Sequence, residues 1–140
     1  MKVNELAKRL GVTPDTVRFY TRIDVLKPLK DKTNGYREYS EVDENRLRFV
    51  LSARQLGFTV DDIKEIFSHA DKQQSPCLTV RRLIDQRLQE FEQRFLEMQQ
   101  LRQRMQRAVS EWSEKPDQAP NGHSICHLIE SFSVEERLKE

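Results

Sequence analysis

From Leu78 to Trp112 the chain runs 35 residues without a glycine or a proline. Apolar side chains within that run fall at Ile84, Leu88, Phe91, Phe95, Met98, Leu101, Met105, Val109 and Trp112, always three or four residues apart. Those steps keep them on one face of a helix, and Arg, Gln and Glu fill the other faces, as in a coiled coil. A chain of 140 residues that is 34% charged and 36% hydrophobic has no single large core to cover so long a stripe. The simplest cover is a second copy of the same helix, which predicts a homodimer; packing within the chain is the alternative.

The residues before this run are patterned for a small domain. "VNELAKRLGV" sets Val3, Leu6, Ala7 and Leu10 at helical spacing, with Gly11 as a stop. "TPDTVRFYTRI" then opens a second helix with Thr13 as N-cap, Pro14 at the first helical position and Asp15 in the first turn. Two short helices joined by a glycine turn form a helix-turn-helix. Pro28 bars further helix, and Asn34-Gly35 favours the positive-φ turn of a hairpin, which reads as a wing. Ser40 with Asp43, and Thr59 with Asp62, carry the spacing of capping boxes and start two more helices. After Trp112, "SEKPDQAPNG" is a loop, "HSICHLIESF" a last short ordered segment, and Ser133 with Glu136 a third capping-box start.

Charge is distributed unevenly. Residues 1–37 hold nine Lys or Arg against four Asp or Glu, and the remainder fifteen against nineteen. A basic front on an acidic back is the asymmetry expected where one end meets a polyanion. The start, "MKVNELAKRLGV", has no apolar run like that of a signal peptide, and no stretch reaches transmembrane length. The chain therefore reads as cytoplasmic with no membrane partner, a setting in which thiols stay free as ligands or nucleophiles. No Ser-His-acid pattern, P-loop, Rossmann glycine motif or HExxH is present, so an enzyme is not expected.

"GVTPDTVRFYTRIDVLKP" followed by "NGYREYS" resembles the winged helix-turn-helix of the MerR family of bacterial transcription regulators. Thr16, Val17, Arg18, Phe19 and Tyr20 match the family's core motif, Leu26 and Pro28 its next element, and Gly35, Tyr36, Arg37 and Tyr39 its wing. Thr21 stands where the family usually has Glu, and Asp24 where it usually has Gly. Asp tolerates left-handed backbone better than most side chains, so the turn at Asp24 should survive, while one local interaction that a Glu at position 21 would make is put in doubt.

The resemblance implies a mainly α fold in three parts. Residues 1–76 would be the winged helix-turn-helix with its two following helices, 77–114 a long helix dimerising as an antiparallel coiled coil, and 115–140 an effector loop and C-terminal helix. It implies a homodimer on a palindromic promoter site in double-stranded DNA, whose distortion lets RNA polymerase use the promoter. Arg18, with Thr16 and Asp15, lies at the front of the second helix, the part that enters a major groove. Arg can read guanine bidentately, whereas Lys8, Tyr20, Tyr36 and Arg37 suit phosphates.

In the family's divalent-metal-sensing branch, a Cys at the start of the dimerisation helix meets thiolates of the partner's C-terminal loop. Cys77 holds the first place here. The loop has only Cys126, flanked by His123 and His127. This set implies Zn(II) or Cd(II) as inducer, with Pb(II) a further candidate, no organic cofactor, and Asp117 or water as a fourth ligand. Two alternatives remain open: Cys126 as a small core residue beside Ile125 and Leu128, and a thiol sensor of electrophiles or oxidants acting through Cys126 or Cys77. A drug-binding regulator of the family would need a larger C-terminal domain.

Overall fold

The structure, a computed structural model, describes residues 1–132. The helix start expected at Ser133 and Glu136 lies outside the described residues. Its elements run in the order α1 Val3–Leu10, α2 Pro14–Arg22, β1 Leu29–Lys30, β2 Arg37–Glu38, α3 Glu41–Gln55, α4 Val60–Ala70 and α5 Cys77–Trp112, with a further helical turn from residue 127. Two compact units divide the chain, Met1–Gln89 and a second beginning at Glu90.

Local chemistry sets the helix ends of the first unit. α1 stops at Gly11, whose φ of 68° is the left-handed conformation that satisfies the last carbonyls. α2 starts because the Thr13 hydroxyl accepts the Thr16 N–H, with Pro14 in its first turn. Ser40 with Asp43 caps α3 and Thr59 with Asp62 caps α4, each as a full capping box. Asp43 is buried, and its carboxylate also accepts the Lys27 N–H at 3.0 Å, so one residue fixes both the start of α3 and the entry to the wing.

The turn after α2 runs through Asp24 at φ 66°, as its place in the motif implied. Val25 and Leu26 there return their N–H groups to the Tyr20 carbonyl. Both side chains point into a core with Leu6, Val17, Tyr39, Leu47, Val50, Ile63 and Ile66. Arg46 of α3 secures this corner by donating to the Val25 carbonyl at 2.7 Å and to Asp71 at 2.8 Å, with its guanidinium 4.0 Å from the Phe67 ring centroid.

The wing differs in detail from a tight Asn-Gly turn. β1 and β2 pair antiparallel with Leu29 opposite Glu38 and Lys30 opposite Arg37, leaving 31–36 as the loop. Gly35 has positive φ and returns its N–H to the Asp31 carbonyl. The Asp31 and Asn34 side chains accept the N–H groups of Thr33 and Tyr36 at 2.7 and 2.9 Å, and these side-chain turns widen the loop.

α5 is continuous over 36 residues. Its first turns belong to the first unit: Leu83 joins the core, Arg82 pairs with Glu65 at 2.7 Å and Arg87 with Asp62 at 2.9 Å. Farther along, the apolar seam stands open within the single chain, with Phe91 64%, Met98 66% and Val109 71% exposed. In the second unit the Trp112 and Phe132 rings meet edge-on at 6.2 Å, and residues 127–132 are helical.

Candidate nucleic-acid interface and effector end

α1, α2 and the wing enclose a groove of about 620 Å³ lined by Lys2, Val3, Asn4, Arg18, Lys30, Gly35, Tyr36 and Arg37. Four of the eight are cations and none is a carboxylate. Arg18 projects from α2 because Val17, Tyr20 and Thr21 turn the other face into the core. Its Nη1 sits 2.9 Å from Asp15 Oδ1. The Thr16 hydroxyl lies 3.0 Å from that of Thr13. Lys8 is exposed in the last turn of α1. Arg37 and Tyr36 are exposed on the wing.

Tyr20 is more buried than the other expected DNA-contacting residues. It is 7% exposed and packs edge-on against Phe19 at 5.0 Å, so its ring is part of the core. Its spacing of three from Val17, on the buried face, was the available signal. Lys2, Asn4 and Lys30 line the groove without having been singled out in the sequence. Lys30 gets there through the hairpin register that sets it across from Arg37, which no local pattern announces.

Glu38 binds the groove's edge from outside. Its carboxylate accepts from the Met1 amino group at 2.6 Å and from Lys2 at 2.9 Å. These two cations hold its carboxyl down at about 2.

Cys77 is exposed at the first residue of α5, its N–H on the Ser75 hydroxyl at 3.3 Å. Cys126 is half-buried in the second unit, next to the helical turn that begins at His127. Glu130 shapes the segment before it, accepting from the Ser124 hydroxyl at 2.7 Å and from the N–H groups of Ile125 and Cys126 at 2.8 and 3.3 Å. Those donors, the Ser124 hydroxyl first, lower the Glu130 pKa. Asn121 accepts the N–H groups of His123 and Ser124 at 2.7 and 2.9 Å.

His127 Nε2 lies 2.8 Å from the Pro116 carbonyl. A carbonyl only accepts, so Nε2 carries the proton, and in the neutral ring the lone pair falls to Nδ1. Thiols with an imidazole fixed in this way are a donor set that fits a soft or borderline divalent ion. Among the described residues, no group of three or more His, Cys, Asp or Glu comes together within the one chain. Cys77 and Cys126 belong to different units.

A basic groove between a capped helix and a two-stranded wing defines a winged helix-turn-helix DNA-binding protein. Residues 1–70 match the family described as "MerR HTH family regulatory protein", and residues 44–108 match "MerR, DNA binding". The chain belongs to the MerR family of transcriptional regulators. It is 37% identical over 107 residues to the HTH-type transcriptional regulator ZntR of Escherichia coli (strain K12), covering 76% of each chain. The fold is that of PbrR691 from Ralstonia metallidurans CH34, solved in complex with lead(II), with TM-score 0.73 at 24% identity over 94% of this chain and 98% of that one. MtaN, the N-terminus of a Bacillus subtilis multidrug transporter activator, superposes with TM-score 0.63 at 27% identity over 78% of this chain and 97% of that one. Such relatives are regulators, not enzymes. Among the described residues no helix is long and apolar enough to cross a membrane.

Proposed function

We propose that this chain is a metal-responsive transcriptional activator that works as a homodimer on a palindromic promoter site. The observation that carries the reading is the placement of an exposed Cys77 at the head of an α5 whose apolar seam is open, in a chain whose other thiol lies beside a tautomer-fixed His127. Similarity to ZntR and to a lead(II)-bound PbrR691 supports it.

Two α5 helices paired along the seam bring Cys77 of one protomer to the effector loop of the other. Cys77 and Cys126, with His127 or His123, then form a ligand set shared by two chains. A divalent ion bound there supplies a positive centre that two thiolates neutralise, and Zn(II) or Cd(II) suits mixed sulfur and nitrogen ligands better than Pb(II) does. The shared ligands favour one placement of the two DNA-reading units. That preference is the coupling energy available for distorting the promoter toward use by RNA polymerase. Thr16, Arg18, Lys8, Tyr36 and Arg37 meet the DNA, joined by Lys2 and Lys30 of the groove.

The test is Cd(II) titration followed by ultraviolet thiolate-to-metal charge transfer on the wild type, Cys77→Ser and Cys126→Ser. The band is expected in the wild type and lost or strongly diminished in both variants. If the wild type shows no band, or a variant keeps it in full, the shared site is wrong. Thiol modification by an electrophile in metal-free protein, with transcription following, would instead establish the thiol-sensor alternative.

A further inference from the structure

Two of the four cations in the groove are already occupied. Arg18 Nη1 lies 2.9 Å from Asp15, and Lys2 Nζ 2.9 Å from Glu38. Neither carboxylate lines the groove; each reaches a groove cation from its rim. Asp15 is 92% exposed and holds no second cation, and Lys30 and Arg37, the other two groove cations, form no ion pair of this kind among the described residues. The pattern divides the groove into two free cations and two held ones, one held on the recognition helix and one against the wing.

A carboxylate on a guanidinium or an ammonium makes the contact that a DNA phosphate would make. Exposed pairs of this kind are worth little on their own, comparable to one phosphate contact on random DNA. A phosphate therefore gains little by displacing Asp15 or Glu38. A guanine edge that takes Arg18 bidentately gains more, and a cytosine amino group in reach of the freed Asp15 adds a second base contact. Where DNA offers neither, Asp15 is left facing phosphates, a repulsive element that acts only against wrong sequences.

We propose that Asp15 and Glu38 are specificity-determining residues that act as built-in competitors for phosphate, holding Arg18 and Lys2 so that random DNA gains little from them. The proposal rests on the DNA binding of the family and is independent of any metal. Asp15 acts through Arg18 and through its own charge, and Glu38 through Lys2 and the Met1 ammonium beside it.

The test compares two probes: a pool of random 30-base-pair duplexes, and the tightest duplex that the wild-type protein selects from that pool. Affinities of full-length wild type, Asp15→Asn, Glu38→Gln and Asp15→Glu are measured across a salt series. Asp15→Asn and Glu38→Gln are each expected to raise affinity for the random pool by roughly three- to fivefold at low salt. Their salt dependence on the pool should steepen by about one phosphate contact. Affinity for the selected duplex should rise less or fall, so discrimination drops, while Asp15→Glu, which keeps the charge, should hold near wild type. Circular dichroism melting of each variant separates loss of the α2 first turn from loss of competition, because a partly unfolded α2 weakens both probes. A variant that leaves pool binding unchanged or weaker while melting as wild type, or that raises both probes by one factor, overturns the role of its carboxylate.

Discussion

The hydroxyls of Thr21 and Tyr39 lie 2.7 Å apart inside the first unit, tying the recognition helix to the end of the wing. Thr21 also reaches the Val17 carbonyl at 2.8 Å, which only accepts, so the Thr21 proton goes there and Tyr39 must donate to Thr21. Thr21 occupies the place where the family usually has Glu. Here that place holds one partner of a buried, directed pair of hydroxyls. Tyr39→Phe removes one donor and should cost about 1 kcal/mol, whereas Thr21→Val strands a buried phenol and should cost about 1–3 kcal/mol. Urea unfolding of both singles and the double should show the double well short of the sum of the singles. Additive costs would mean that the two hydroxyls do not interact.

Asp24 holds φ at 66° in the turn that follows. Left-handed backbone costs an L-residue roughly 1–2 kcal/mol, less for Asp than for most. Asp24→Gly removes that strain, offset in part by the greater freedom of glycine in the unfolded chain. It should raise the urea midpoint by the equivalent of a few tenths to about 1 kcal/mol. A lowered midpoint would show that the Asp24 side chain contributes more than its backbone costs.

Those two departures show how unevenly the fold is written in the sequence. Thr13, Ser40 and Thr59 were legible as caps because a cap is a contact within one turn, and each forms as its spacing indicated. The α5 seam was legible because period is a local property too. Lys2 and Lys30 were not, because they enter the groove through the hairpin register and the packing of α1 beside it, which are relations between distant segments. Burial of Tyr20 was legible from its spacing of three from Val17, on the same buried face of α2. At the effector end the sequence yields candidate ligand types, and the proposed sharing of them between two chains is a relation that neither the sequence nor a single chain displays.

The groove cations should separate by experiment into a sequence reader and phosphate clamps. Arg18→Ala should weaken binding to the selected duplex by about 1–3 kcal/mol and random DNA less, if the guanidinium meets a guanine edge. Lys30→Ala and Arg37→Ala should weaken both kinds of DNA alike and flatten the salt dependence by about 0.9 for each phosphate no longer neutralised. Equal losses from Arg18→Ala on both would make it a third clamp.

The open seam of α5 makes a prediction about assembly. Phe91 and Phe95 stack at 6.4 Å along the helix, both exposed, with Met98 next in line. Under a second copy these side chains are desolvated, and a carboxylate placed among them would be buried without a partner. Phe91→Asp and Met98→Asp should each shift sedimentation from dimer to monomer while circular dichroism of the first unit is retained. A dimer unchanged by either substitution would show that the seam has another partner.

The two imidazoles of the proposed metal site differ in how they are held. His127 has Nε2 committed to the Pro116 carbonyl and Nδ1 open, the arrangement in which an outer partner fixes the tautomer and raises the basicity of the ligating nitrogen. His123 has no ring contact of this kind among the described residues and is exposed. His127→Asn should therefore weaken Cd(II) binding on the order of 10- to 100-fold, and His123→Asn much less. Because the cysteines must lose their thiol protons to ligate, wild-type affinity should fall as pH drops. Nitrogen NMR of the metal-free protein gives an independent reading, since His127 is expected as the Nε2–H tautomer. A Cd(II) affinity that survives His127→Asn but is lost in His123→Asn would reverse the assignment and leave the bond to Pro116 as a brace for the loop.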